Sequence, residues 1–276
     1  MRDILLFVKH HFRLHRRYAF VAGVLAVSLF AAAFGLGVMS IYLTHLLIHL
    51  EHLIPALAET GDLVGDAIYF VLGVGLREEL AKLLCFLPML YWLRRGKAQG
   101  EGLILGAAVG LGFAFIENVS YFEAGVLGTA MTRFLTANFL HMSLTAIAAD
   151  AVTRAVRERT DTATTGAVNT FGLVVLLHGA YDWFLVTPGM ADYSILAMTI
   201  FVVSSQLFLR AVPRGRGRTG IPLEQVVVRA LVVLTGATFV YGAAVAGPEA
   251  AAVASAQGVL GVVLILVMFH RELGRG

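Results

Sequence analysis

A few residues of this chain could do chemistry, and they come in short, regularly spaced sets. The segment Gly75-Leu-Arg-Glu-Glu-Leu-Ala-Lys brings together Glu78, Glu79 and Lys82. Phe113-Ala-Phe-Ile-Glu-Asn-Val-Ser-Tyr carries Glu117, Asn118 and Tyr121, and Asn138-Phe-Leu-His carries His141. His178-Gly-Ala-Tyr-Asp pairs His178 with Asp182. Glu78 with Lys82, Glu117 with Tyr121, and His178 with Asp182 each have the i,i+4 spacing that shares a helix face. A carboxylate at that distance from an imidazole can orient the ring or join it in binding an ion. A second carboxylate nearby can act as general base on a water molecule. Adjacent side chains such as Glu78 and Glu79 point about 100° apart on a helix. One can therefore face a site while the other pairs with Lys82 or Arg77. The i,i+4 relation assigns the pairing to Glu78 and leaves Glu79 as the favoured base.

The elements that must position these residues are membrane helices. Of 276 residues, 58% are hydrophobic and 14% charged, and mean hydropathy is +0.81. A soluble domain carries about 25% charged residues. The composition excludes a cytosolic enzyme, a disordered chain and a disulfide-rich secreted module. The single cysteine, Cys85, cannot form an intramolecular disulfide and reads as a small buried hydrophobe. Stretches near 19–44, 63–93, 102–122, 129–153, 166–187, 191–211, 225–246 and 250–270 each reach the roughly 20 apolar residues that a bilayer crossing needs. No stretch alternates as a membrane β-strand does. The fold class is all-α, a polytopic membrane bundle of about eight transmembrane helices. One integral membrane domain fills residues 1–276, with its motif-bearing core at about 63–187.

The Lys and Arg residues set the orientation. They recur before the first stretch (Arg2, Lys9, Arg13, Arg16, Arg17) and after the second (Arg94, Arg95, Lys97). They recur again after the fourth (Arg154, Arg157, Arg159), the sixth (Arg210, Arg214, Arg216, Arg218) and the eighth (Arg271, Arg275). The intervening connections have none. The positive-inside rule then places both termini in the cytoplasm of a multi-pass cell-membrane protein. The net charge of +3 is thereby a topology signal, and no nucleic-acid partner is expected. The first apolar run exceeds the 7–15 residues of a signal-peptide core, so it reads as a retained span. His45, His49 and His52 follow it, in a segment that reads as an interfacial amphipathic helix.

Charge inside a bilayer is expensive and marks function by default. Counting from the cytoplasmic end of each stretch at about 1.5 Å per residue, Glu78, Glu79, Glu117, His141, His178 and Asp182 all fall at roughly 18–24 Å. Four stretches thus offer carboxylates and imidazoles at one level. Gly106, Gly110 and Gly112 form a small-residue stripe that lets helices approach closely near Glu117. Gly73 and Gly75 do the same, or loosen the helix, just before Glu78. Arg133 and Asp150 lie near span ends and read as interfacial.

Glu78-Glu79-x-x-Lys82, Phe113-x-x-x-Glu117-x-x-x-Tyr121 and His178-x-x-x-Asp182, in that order on consecutive spans, resemble the PrsW family of intramembrane proteases. That family is similar to the group containing the CAAX-prenyl endopeptidases, the bacterial Abi proteins and the non-catalytic scaffold subunit of γ-secretase. The segment around Asn138 and His141 looks like the family's His-bearing span. The resemblance covers roughly residues 63–187. It implies proteolysis of membrane-anchored, single-span substrates within the lipid bilayer, anti-sigma factors being an example. It also implies a catalytic set of Glu78, Glu79, Lys82, Glu117, Asn118 and Asp182.

The family is classed with metallopeptidases, although the His-Glu-x-x-His helix is absent. Two mechanisms follow. In one, His141, His178 and Glu117 or Asp182 hold zinc with an open position, and Glu78 or Glu79 deprotonates the bound water. In the other, a Glu with a His activates water directly and Asn or His donors stabilise the oxyanion. Two further classes compete. An ion- or proton-coupled transporter would place the same charges in a relay, but inverted repeats are not evident in the sequence. An inactive scaffold would not require all three motifs.

Overall fold

A computed structural model describes residues 27–49, 54, 58–94, 100–123 and 127–212, with short pieces between 236 and 271. Side chains are described in these segments except at 122–135 and 191. The first helix, α1, is Val27–His49. The second, α2, is a continuous rod over 63–93 made of α-helical Leu63–Ile68, a π-helical stretch Tyr69–Gly75, α-helical Leu76–Phe86, a 3-10 turn Leu87–Met89 and a last α-turn Leu90–Leu93. Then come α3 (Glu101–Glu123), α4 (Leu127–Glu158), α5 (Asp161–Val186), a 3-10 segment Pro188–Tyr193, and α6 (Ser194–Ala211). No strand occurs among the described residues. The protein is a helical membrane bundle. The seventh expected span, the eighth and the N-terminal basic cluster lie largely or wholly outside the described residues.

Local chemistry explains the element boundaries. Asp62 caps α2, its carboxylate accepting from the N–H groups of Val64 (3.1 Å) and Gly65 (2.9 Å). The Gly65 N–H and the Thr60 hydroxyl hold the Asp62 carboxyl below the usual aspartate range. Arg159, at φ 54°, turns the chain between α4 and α5. Thr160 then caps α5 by accepting from the Ala163 N–H, one of the orphan donors of a helix start. His45 and His49 continue α1 and do not begin a separate interfacial helix, because nothing in Thr44–His49 breaks the pattern; His52 lies outside the described residues.

Four described helices, α1, Glu101–Tyr121 within α3, α5 and α6, are long and apolar enough to cross a membrane. The rod α2 and helix α4 are not among them. In α2 the run carries Arg77, Glu78, Glu79 and Lys82; in α4 it is diluted by Asn138, His141, Ser143 and Thr145. Their polar residues face inward, and most of these side chains are buried. Large apolar side chains point outward instead, among them Ile104, Leu176 and Ile195, as lipid contact requires. Tyr91 and Trp92 are exposed beside Arg94, the aromatic and basic residues of a membrane–water boundary.

Two apolar layers flank the polar residues. Leu140 and Leu144 of α4 pack with Val174 of α5 and Phe201 of α6. On the other side Ala33 of α1, Phe86 of α2 and Ala108 of α3 pack together. The basic end is locked by Arg157, which donates to Glu101 (2.6 Å) and to the Leu93 carbonyl (2.9 Å). One guanidinium thus ties the ends of α2, α3 and α4.

Candidate active site

The polar residues meet because three helix contacts are unusually close. Helices α3 and α4 are antiparallel, and a Cβ added at Gly110 would collide with the His141 carbonyl oxygen. Across the bundle, a Cβ at Gly179 would collide with the Phe70 carbonyl and Val71, and one at Gly75 would lie 2.8 Å from the Val175 carbonyl oxygen. The π-helical stretch of α2 therefore lies directly against α5, one turn before Glu78 and Glu79. Gly112 does not join this stripe; it faces α1 at Phe34.

Glu78, Glu79, Lys82, Glu117, His141, His178 and Asp182 form one connected cluster. His178 is held on both ring edges. Its Nδ1 lies 2.8 Å from Glu79 Oε1, and its Nε2 lies 3.3 Å from Asp182 Oδ2 and 3.5 Å from Glu78 Oε2. Lys82 Nζ donates to Glu79 Oε1 (2.8 Å) and sits 2.9 Å from His141 Nδ1. Because an ammonium can only donate, His141 Nδ1 accepts and the ring proton belongs on Nε2. That nitrogen lies 2.8 Å from Glu117 Oε2. The Lys82 ammonium also stands 3.9 Å over the Phe113 ring, a cation–π contact in a dry site. The two imidazoles are 4.9 Å apart, edge to face.

The pairing differs from the spacing argument. Lys82 makes its short bond with Glu79 at i,i+3, and Glu78 stands off at 3.5 Å. Both offsets lie on one helix face, and contacts from other helices select between them. His178 and the Thr145 hydroxyl, 3.3 Å from Glu79 Oε2, draw Glu79 into the interior. Burial then divides the cluster. The side chains of Lys82 and Glu79 are 0% and 1% exposed, against 11% for Glu78, 13% for Asp182 and 17% for Glu117. The two most exposed, Glu117 and Asp182, lie nearer the ends of α3 and α5 remote from Arg157.

Asn118 is buried and donates to the Ala114 carbonyl and to Asn138 Oδ1, both at 2.9 Å. Asp150 pairs with Arg154 at 3.3 Å, away from the cluster. Cys85 is half-buried and free. The Arg133 side chain lies outside the described residues.

A family model described as PrsW family intramembrane metalloprotease matches residues 21–207. The chain belongs to the PrsW family. No curated protein and no solved structure matches it. The match encloses every residue of the cluster, and it identifies this PrsW chain as a multi-pass membrane protein of a peptidase family.

The family description names a metal, and the donor chemistry of this PrsW cluster fits one. Glu78, His141 and His178 each offer a ligand atom, all within 4.8 Å of one another and all buried. Glu78 Oε2 is buried with no hydrogen-bond partner, a costly state for a carboxylate oxygen. Four carboxylates face one lysine and two imidazoles, so a divalent cation would offset negative charge that the side chains leave uncompensated. His178 has the arrangement typical of metal-binding histidines, one ring nitrogen on a carboxylate and the other toward the remaining donors.

Thr145 was not singled out from sequence, and Asn138 was noted beside His141 without a role of its own. Thr145, one turn past His141, bonds Glu79; its i,i+4 relation to His141 was the available signal. Asn138 meets Asn118 across helices, which no local spacing reveals.

Proposed function

We propose that this protein hydrolyses peptide bonds of single-span membrane proteins, anti-sigma factors among them, within the bilayer. The observation that carries the reading is His178 held between Glu79 on one ring edge and Glu78 and Asp182 on the other, beside the buried donor set Glu78, His141 and His178. These three residues would hold zinc, with Asp182 adjacent. The ion would supply Lewis acidity and lower the pKa of a bound water. Glu79 orients His178 through Nδ1, so its role is positioning and not that of base. Lys82 offsets the Glu79 charge and, without the ion, donates to His141 Nδ1; with Nε2 protonated toward Glu117, Nδ1 is the nitrogen that would turn to zinc in place of the ammonium. Glu117, the most exposed carboxylate of the cluster, keeps Oε2 on His141 Nε2, takes a proton from the attacking water at its other oxygen and returns it to the departing amide nitrogen. Water and an unwound substrate segment arrive from the side where Glu117, Glu78 and Asp182 are exposed. With the basic connections cytoplasmic, that side is extracytoplasmic. Eight spans and cytoplasmic termini in a single membrane domain complete the arrangement.

The test is cleavage of reporter single-span substrates by purified protein and by Glu78→Gln and His178→Ala variants, with metal content measured on the same samples. Loss of cleavage and of metal in both variants is expected. Unchanged cleavage in both overturns the site; full activity in metal-free, chelator-treated protein replaces zinc with direct activation of water by Glu and His.

A further inference from the structure

We infer that Lys82 competes with the metal ion for His141, so that this lysine holds down the zinc affinity of the site and sets the zinc level at which the protein loads; this rests on the proposed metal site. The ammonium of Lys82 stands among the donors. Its Nζ is 2.9 Å from His141 Nδ1 and 3.5 Å from Glu78 Oε2, on two of the three residues that could hold the ion. The third, His178, shares Glu79 Oε1 with it, each at 2.8 Å.

The competition is for one lone pair. A neutral imidazole has one N–H and one bare nitrogen. The Glu117 carboxylate, 2.8 Å from Nε2, takes the N–H there, which leaves Nδ1 as the bare nitrogen. Its single lone pair lies in the ring plane and points one way. The ammonium takes that direction at 2.9 Å, and a zinc ion would bond along the same line at about 2.0–2.1 Å. The two uses exclude each other, so zinc binds this nitrogen only as the Lys82–His141 bond breaks. Charge works in the same sense, because a buried ammonium repels a neighbouring divalent ion with little screening.

The lysine can yield without leaving the cluster. Glu79 Oε1 at 2.8 Å and the Phe113 ring at 3.9 Å remain as its partners, and a flexible four-carbon stem lets the head swing away from His141. His141 keeps Glu117 on its other nitrogen throughout, so the ring is held in place whichever cation it faces. Zinc is then exchanged against an internal cation, and the loaded fraction follows the zinc supply.

The experiment titrates zinc, against a competing chelator, into the metal-stripped full chain in detergent and reads the dissociation constant and the melting temperature. It compares wild type, Lys82→Met, Lys82→Gln, His141→Ala, the double variant of Lys82→Met with His141→Ala, and Glu78→Gln. Lys82→Met and Lys82→Gln are expected to bind zinc more tightly than wild type by about 10-fold or more. Zinc should also raise their melting temperatures by more than it raises that of wild type. On the His141→Ala background the gain from Lys82→Met should shrink to about threefold or less. Zinc affinity unchanged or weakened in both Lys82 variants overturns the inference, while zinc loss in Glu78→Gln leaves the metal site standing. A gain of equal size with and without His141 also overturns it, in favour of charge repulsion alone. Should neither Lys82 variant fold, X-ray absorption of the zinc-loaded wild type decides. Two histidines on zinc are expected; a single one overturns the inference, because His141 has then stayed with Lys82. Zinc bound by none of these proteins overturns this inference and the metal site together.

Discussion

Glu79 Oε1 and His178 Nδ1 lie 2.8 Å apart although 99 residues separate them in sequence. The same oxygen receives Lys82 Nζ at 2.8 Å. Glu79 is therefore the hub that joins the lysine to the imidazole, and both of its neighbours depend on it for orientation.

Replacing Glu79 with Gln keeps the shape and removes the charge. The expected result is a loss of 10–100-fold in activity or metal affinity, the usual effect of breaking a partner behind a metal-binding histidine. Single-turnover cleavage together with metal titration reads it. Unaltered values in both would remove Glu79 from the site.

Lys82→Met leaves the Glu78 and Glu79 carboxylates without their buried cation. Breaking a buried pair from one side costs about 3–5 kcal/mol, so the melting temperature in detergent should fall sharply. Adding Glu79→Gln should restore part of that loss, because the two residues are coupled. A double variant as unstable as the sum of the singles would contradict the pairing.

Gly179→Ala should separate α5 from the π-helical stretch of α2, since its methyl would meet the Phe70 carbonyl and Val71. Overpacking of this kind costs about 1–3 kcal/mol, and activity should fall with it. Gly172, on the same helix, has open space where a Cβ would go. Gly172→Ala is the control, expected to be neutral or to stabilise by about 0.5–1 kcal/mol. Thermal melts of the two variants compare them directly, and equal behaviour would reject the close contact.

Reporter fusions test the orientation. Cytoplasm-active reporters inserted at 95–99 and at 159–160 should be active, and those at 124–126 and at 188–190 inactive. The reverse pattern would invert the membrane orientation and with it the side from which water enters.

Much of the site was legible because charge in an apolar run has few explanations. Counting depth along the spans brings Glu117 to the level of His141, and the structure puts the two in contact at 2.8 Å. The choice of partner was not legible. Lys82 can reach Glu78 or Glu79 on its own helix, and His178 and Thr145, from elsewhere in the chain, decide for Glu79. The π-helical stretch was equally hidden. Gly73 and Gly75 signalled either close approach or loosening, and Gly75 shows both, lying at the end of the π-turn and against α5. Asn138 was noted without a role, since an asparagine in a helix has many uses, and its bond across to Asn118 is a contact between helices that no local spacing reveals.

Lys82, fully buried over the Phe113 ring, ends the polar cluster abruptly on one side. In the proposed reaction water enters from the Glu117 side, and a path that stops at Lys82 leaves the membrane's permeability barrier intact. The fixed positive charge at its floor repels hydronium, and the aromatic ring beneath it offers no hydrogen-bond chain by which a proton could continue. The cell can thus keep a hydrolytic site inside its membrane without short-circuiting the voltage across it. Substituting Phe113 with a small polar residue would be felt first as a leak.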